Sequence, residues 1–315
     1  MDQTCLKELK SMTSIEKKAF INSFDTIITD CDGVLWWGPK VIKRAVDTIN
    51  TYKTFKAVYF LTNSSTKTTE QLLKKFRSLG FNAEVDEVLG TAMLTAEYLR
   101  SMGISKKVYL VAPVAVKSEL EAIGINSVGC GPDVMPIEGF KEQFFLEPDV
   151  DAVVVGFDIH FSYPKLAKAT AYLTRANHIP FLATNPDNKL PKRGGGFEPG
   201  SGSFIKAIES SSGRKATIVG KPSKFAFEYV SSLRPQDPKR VLMIGDRCDT
   251  DIEFGRKLGM QTLLVLTGHN KLDDVKEYKA SGMYHLVPHY YTNSIADLLD
   301  LLTPAQYNST ENFKR

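Results

Sequence analysis

Phe24-Asp25-Thr26-Ile27-Ile28-Thr29-Asp30-Cys31-Asp32-Gly33-Val34 decides how the chain is read. Thr26 to Thr29 is a β-branched run, Asp32-Gly33 is a turn signal, and helical spacing resumes from Val41 through Ile49. A short buried strand followed by a turn and a helix is the repeating unit of a parallel sheet covered on both faces. Residues two apart on a strand project to one side, so the Asp30 and Asp32 carboxylates are expected to converge beyond the sheet edge. Like charges that close cost free energy unless a cation sits between them. Asp-X-Asp-Gly is also a common turn for backbone reasons alone, so this stretch does not decide chemistry by itself.

Outward from it the same unit recurs. Strands are expected at 56–63, 108–113, 151–157, 180–185, 216–220 and 241–246, and in TLLVLTG (262–268), with helices between them. One helix is expected over 88–103, another over the final SIADLLDLL (294–302), and 185–203 reads as a Gly/Pro-rich loop. The fold class expected is α/β: a doubly wound, Rossmann-like parallel-sheet core with an inserted α/β domain. The boundaries expected are core over 1–103 with a polar lead over 1–20, insertion over 104–207, core again over 208–302, and a polar tail over 303–315.

Composition limits the partners. The chain has 315 residues, 43% of them hydrophobic, enough for one large domain or two modest ones. Forty basic and thirty-six acidic residues give +4, without like-charged blocks, so neither nucleic acid nor a membrane surface is expected. No secretory leader or spanning segment is evident and the four cysteines are scattered, which gives the expectation of a soluble cytoplasmic protein with reduced thiols.

Four strand ends carry groups suited to phosphate chemistry. Asp246, in Ile244-Gly245-Asp246-Arg247-Cys248-Asp249-Thr250-Asp251, closes a strand as Asp30 does. Two such carboxylate sites joined by a parallel sheet would make a hard, oxygen-rich pocket suited to Mg²⁺. Asp249 is expected to cap the helix beginning near Thr250. Thr62-Asn63-Ser64-Ser65-Thr66 offers hydroxyls and N–H groups for phosphate oxygens, and reads equally as a capping loop. Lys221, before Pro222, would bridge a carboxylate and a phosphate, and taken alone is an ordinary surface lysine. The coincidence of all four carries the inference. No GxxxxGK[ST], HExxH or GxSxG motif competes with it, and the five histidines show no metal-ligand spacing.

Together these motifs resemble the haloacid dehalogenase superfamily of phosphatases over nearly all of residues 20–302. Asp30-Cys31-Asp32-Gly33-Val34-Leu35-Trp36 is similar to its first motif, Thr62-Asn63 to the second, Gly220-Lys221-Pro222 to the third, and Gly245-Asp246-Arg247 with Thr250-Asp251 to the fourth. The chain resembles most the large-cap branch of phosphoglycolate, pyridoxal and para-nitrophenyl phosphatases. The resemblance implies that Asp30 is the nucleophile and Asp32 the general acid and base. It implies that Asp30, Asp32 and Asp246 hold Mg²⁺ with Asp251 behind them. Thr62, Asn63, Ser64 and Lys221 would bind the phosphoryl oxygens, Thr62 and Lys221 having a direct catalytic part. A cap loop with Asp187, Asn188, Lys189 and Leu190 would select the leaving group; Lys189, Lys192 and Arg193 read either as solvated loop charges or as partners of a substrate carboxylate. Ser64 departs from the usual second Asn of the second motif, and Trp37 from a basic residue.

The activity implied is Mg²⁺-dependent hydrolysis of small phosphate monoesters such as 2-phosphoglycolate through an aspartyl-phosphate. Pyridoxal phosphate or a phosphoprotein are alternative substrates, and a catalytically silent phospholigand-binding protein is the rival of another class. The partner expected is a small phosphate ester, and the assembly implied is a homodimer through the cap.

Overall fold

A computed structural model describes residues 6–134, 145–191 and 196–302. The expected polar tail at 303–315, and Lys192 and Arg193, lie outside the described residues.

Among the described residues the chain forms two compact units. The first takes the residues up to Thr62, Leu73–Leu89 and the chain from Phe227 onward. Its sheet has seven strands: β1 (Lys7–Glu8), β2 (Thr26–Thr29), β5 (Ala57–Thr62), β6 (Val88–Gly90), β14 (Val241–Gly245), β15 (Gln261–Val265) and β16 (Tyr290–Thr292), in the order β1-β16-β15-β14-β2-β5-β6. β2 lies between β14 and β5, parallel to both, with Ile28 opposite Met243 and Tyr59. All four residues of β2 and all five of β14 are buried, as expected for strands covered on both faces. A small antiparallel pair, β3 (Trp36–Trp37) and β4 (Lys40–Val41), follows β2.

The second unit takes Asn63–Leu72 and Gly90–Ala226. Its sheet is also parallel, with β7 (Lys107–Val111), β8 (Ser127–Val128), β9 (Val150–Val155), β10 (Phe181–Ala183) and β13 (Thr217–Ile218) in the order β13-β10-β9-β7-β8. A core of Val111, Val153, Val155, Tyr172, Leu173, Phe181 and Ile205, among others, fills one face of it. An antiparallel pair, β11 (Lys189–Pro191) and β12 (Phe197–Pro199), belongs to this unit.

The structure therefore places the division later than 207. The strand expected to return to the first sheet pairs instead with β10, Thr217 opposite Leu182 and Ile218 opposite Ala183. Upstream, the helix Thr91–Ser101 contacts the helix Val114–Ala122 and so falls in the second unit. Three local readings also change. The stretch 88–103 opens as strand β6 before its helix, the 185–203 loop contains the β11–β12 pair, and the last helix is a tight 3₁₀ helix over Ile295–Leu301.

Candidate active site

In the first unit the parallel register does the assembling. Thr29 stands opposite Ile244 and Phe60, so the residues that follow β2 and β14, Asp30 and Asp246, and the last residue of β5, Thr62, reach the same carboxyl edge. The Asp30 N–H donates to the Ile244 carbonyl at 2.8 Å, carrying the ladder one step beyond β2. Asp30, Thr62, Asp246 and Asp251 are all buried.

Asp30, Asp246 and Asp251 form a cluster whose carboxylate oxygens lie within 4.8 Å of one another. The backbone is shaped to hold it. Gly33 has φ +86°, a left-handed conformation suited to glycine, and a Cβ there would stand 2.4 Å from Asp246 Oδ2. A Cβ on Gly268 would stand 1.9 Å from the same oxygen, so Asp246 is seated between two glycines. His269 N–H donates to Asp246 Oδ2 at 2.7 Å. Asp251 Oδ2 accepts the N–H groups of Asp246 (3.1 Å) and Arg247 (3.0 Å), which fixes the turn after β14.

Asp249, expected to cap this turn, does not. Its carboxylate takes the Arg247 guanidinium in a two-point bond at 3.0 and 2.8 Å, and Asp251 accepts the turn's N–H groups instead. Asp32 is exposed, and its Oδ1 accepts the indole N–H of Trp36 at 2.9 Å. Trp36 itself is buried against Phe76 and Phe81, with the Lys75 ammonium 3.8 Å from its ring centroid. Trp37 is exposed and donates its indole N–H to the Thr267 carbonyl. Cys31 and Cys248 are fully buried, and burial first, then the nearby aspartates, push the Cys248 thiol pKa strongly up. Both therefore behave as small packed hydrophobes.

In the second unit Asn63 and Lys221 meet. The Asn63 carboxamide accepts the Lys221 N–H at 2.9 Å and donates to the Lys221 carbonyl at 3.1 Å. Ser64 shares a hydroxyl contact with Thr66 at 3.1 Å. The loop residues hold one another: Asp187 N–H donates to Asn185 Oδ1, and the Asn188 carbonyl accepts from Gly200 N–H and Ser203 Oγ. Lys189 and Leu190 lie on β11, with the Lys189 ammonium 5.5 Å from the Phe197 ring centroid.

Comparison with known proteins then decides the family. A haloacid dehalogenase-like hydrolase model matches residues 27–126, and a second model of HAD-like hydrolases matches residues 218–298. The chain is 43% identical over 299 residues to a glycerol-3-phosphate phosphatase of Mus musculus, covering 90% of this chain and 93% of that one. It is 37% identical over 281 residues to chronophin of Homo sapiens, covering 87% and 92%. The chain belongs to the haloacid dehalogenase-like hydrolases. Its fold is similar to that of a p-nitrophenyl phosphatase from Archaeoglobus fulgidus, at TM-score 0.76 and 28% identity, covering 89% of this hydrolase and all of that chain.

This hydrolase is a phosphoric monoester hydrolase, a phosphatase of small phosphate esters. Among the described residues no helix is long and apolar enough to cross a membrane. The structure brings together Asp30, Asp246 and Asp251 in one unit and Asn63 with Lys221 in the other. Sequence reading missed the Trp36–Asp32 bond and the part of Asn185 and Thr91, described below. Trp36 stands inside the first motif and Asn185 opens the 185–203 loop, and these are the signals the sequence offers.

Proposed function

We propose that this hydrolase is a Mg²⁺-dependent phosphatase whose preferred substrate is glycerol 3-phosphate or a closely similar alkyl phosphate. The observation that carries the reading is the cluster of three buried carboxylates within 4.8 Å. Burial and mutual repulsion both oppose three ionised carboxylates, and a divalent cation offsets both. The donor set is hard oxygen throughout, which fits Mg²⁺. Asp30, the Asp32 carbonyl and Asp246 are the residues that would hold the ion, with Asp251 fixing the turn behind Asp246. When bound, Mg²⁺ supplies charge neutralisation and orientation for the phosphoryl group.

The chain's own residues do the rest. A carboxylate oxygen of Asp30 attacks phosphorus, the P–O bond to the alcohol breaks, and an aspartyl-phosphate forms. Asp32 gives its proton to the departing oxygen, so the alcohol leaves neutral. Asp32, now a carboxylate, takes a proton from water, whose oxygen attacks phosphorus, releasing orthophosphate and restoring Asp30. Thr62 and Lys221 oppose the charge on the non-bridging oxygens.

The choice of alcohol rests on the relatives' names, because the catalytic groups do not choose the leaving group. It replaces 2-phosphoglycolate as the first substrate to test. The deciding experiment is phosphate release from glycerol 3-phosphate, 2-phosphoglycolate, pyridoxal phosphate, a phosphopeptide and para-nitrophenyl phosphate, with and without Mg²⁺. The Asp30→Asn variant is the control against contaminants. Release requiring both Mg²⁺ and Asp30, with the highest kcat/KM on glycerol 3-phosphate, supports the proposal. A higher kcat/KM on another substrate overturns the substrate, and no release from any overturns the activity in favour of a phospholigand-binding protein.

A further inference from the structure

Asn63 opens the second unit, and the bonds it makes do not resemble those of a phosphate ligand. Its carboxamide lies against the peptide of Lys221 as one strand lies against another, Oδ1 on the N–H and Nδ2 on the carbonyl. Each end of the amide faces its complement, so the orientation is determined by the partners. The main-chain carbonyl of Asn63 accepts two further bonds, from Thr91 Oγ1 and Asn185 Nδ2, each at 2.9 Å. Thr91 and Asn185 are buried, and Asn185 Oδ1 in turn holds the N–H of Asp187, in the loop that carries the candidate selectivity residues. A Cβ on Gly220 would stand 2.7 Å from each of Asn63 Oδ1, the Thr184 carbonyl and Thr91 Cγ2, so the chain before Lys221 is packed closely around this amide.

We infer that Asn63 is a positioning residue: its carboxamide sets the main chain of Lys221, and hence the origin from which the Lys221 ammonium reaches the phosphoryl group. The inference rests on the proposed role of Lys221. The physical need is plain. Lys221 is buried, so packing holds its four-carbon stem and the place of the ammonium follows from where the main chain starts it, and small displacements of a catalytic group cost large factors in rate. Holding the α-carbon from both sides of its own peptide fixes that start before substrate arrives. Only a side chain with a donor and an acceptor side by side does this. Aspartate would set an oxygen against the Lys221 carbonyl, and serine or threonine would have to meet both main-chain groups with a single oxygen.

Asn63 therefore acts through Lys221, and its loss should fall on kcat more than on KM. The experiment is a double-mutant cycle with Asn63→Ala and Lys221→Ala, measured on para-nitrophenyl phosphate and glycerol 3-phosphate and normalised to folded protein by thermal melts. Asn63→Ala is expected to lower kcat on both substrates by about 100-fold, the order of a misplaced charge-stabilising donor, with KM changed less than about threefold. In the Lys221→Ala background the same change is expected to cost less than about threefold, because nothing remains to be positioned. Should Lys221→Ala turn over too slowly in the steady state, the cycle is read by single-turnover phosphate release with enzyme in excess.

Equal losses in both backgrounds would overturn the inference and make Asn63 a direct phosphate ligand. A lowered melting temperature with unchanged kcat would overturn it in favour of a purely structural amide. Full activity of Lys221→Ala would overturn the role of Lys221 and the inference with it, and is recognisable because it appears without any change at Asn63. Asn63→Asp keeps the shape and the acceptor. Should the alanine variant fail to fold, Asp decides the matter by the same cycle, with an expected loss of about 10-fold that again vanishes when Lys221 is gone.

Discussion

Two parallel sheets in this chain each end in a buried aspartate, and they treat its charge in opposite ways. After β9, Asp158 bonds the fully buried Lys165 ammonium at 2.5 Å, and its second oxygen accepts the His160 N–H at 2.8 Å. After β2 and β14, Asp30 and Asp246 are gathered with a third carboxylate, Asp251. A one-to-one pair closes on itself and holds a loop in place. A gathering of like charges costs folding free energy and persists only where the surrounding backbone enforces it, which is the mark of a site kept for chemistry. Both patterns are strand-end aspartates in the sequence, and only the partners distinguish them.

The sharpest test of that difference is to neutralise one aspartate of each kind. Asp30→Asn is expected to lower phosphate release by at least about 1,000-fold, while raising the melting temperature in metal-free buffer because repulsion is relieved. Mg²⁺ should raise the melting temperature of the parent and leave that of the variant nearly unmoved. A variant that melts lower than the parent without metal would remove the distinction drawn here. Lys165→Met, by contrast, leaves Asp158 charged and buried, and is expected to cost about 3–5 kcal/mol in urea unfolding. Adding Asp158→Asn to it should restore part of that loss. A stable Lys165→Met protein would show that the second sheet's pair is dispensable.

Much of this was legible in the sequence, and the limits have physical causes. Asp30, Thr62 and Asp246 stand at the strand ends the sequence indicates, because period-two runs and turn residues are local signals, whereas Lys221 lies three residues past the end of β13. The return of the chain was misplaced because Thr217–Ile218 is a two-residue strand whose sheet is decided by pairing with Leu182–Ala183, a contact with no local signature. The β11–β12 pair reads as loop in the sequence because its strands are three residues long with Pro and Gly close by. Asn63 reads in the sequence as a phosphate-binding residue, and a carboxamide's partner 158 positions away cannot be read from spacing.

A third site shows the first unit refusing charge. His289 Nε2 lies 2.6 Å from Arg256 Nη1, and Nδ1 lies 2.9 Å from Thr262 Oγ1. The guanidinium can only donate, so Nε2 accepts, and the Thr262 N–H also points at Nδ1 at 3.2 Å, so donors face both ring nitrogens and the doubly protonated imidazolium is disfavoured. Burial, then Arg256, lower its pKa to about 4. The unfolded chain then binds a proton in the range between about 6.5 and 4 that the folded one refuses, so stability is full above that range and falls as pH drops through it. The loss should approach about 2–3 kcal/mol near pH 4. His289→Gln should flatten that part of the stability curve, and an unchanged slope would place the titration elsewhere.

The smallest effect belongs to Trp36, and it separates holding an aspartate from neutralising it. Lys165 cancels the charge of Asp158, whereas the Trp36 indole donates one hydrogen bond to Asp32 Oδ1 and adds no charge. With Oδ1 held, the proton transfer proposed for Asp32 is confined to Oδ2. Trp36→Phe keeps the edge contacts with Phe76 and Phe81 in kind and removes the hydrogen bond. A general acid matters most when the leaving oxygen is a poor one, since nitrophenolate departs without a proton and an alkoxide does not. Turnover of glycerol 3-phosphate should therefore fall by about 10-fold and that of para-nitrophenyl phosphate by less than about twofold. Equal losses on the two substrates would mean that the indole acts by packing alone, and that Asp32, like Asp158, is held for the fold.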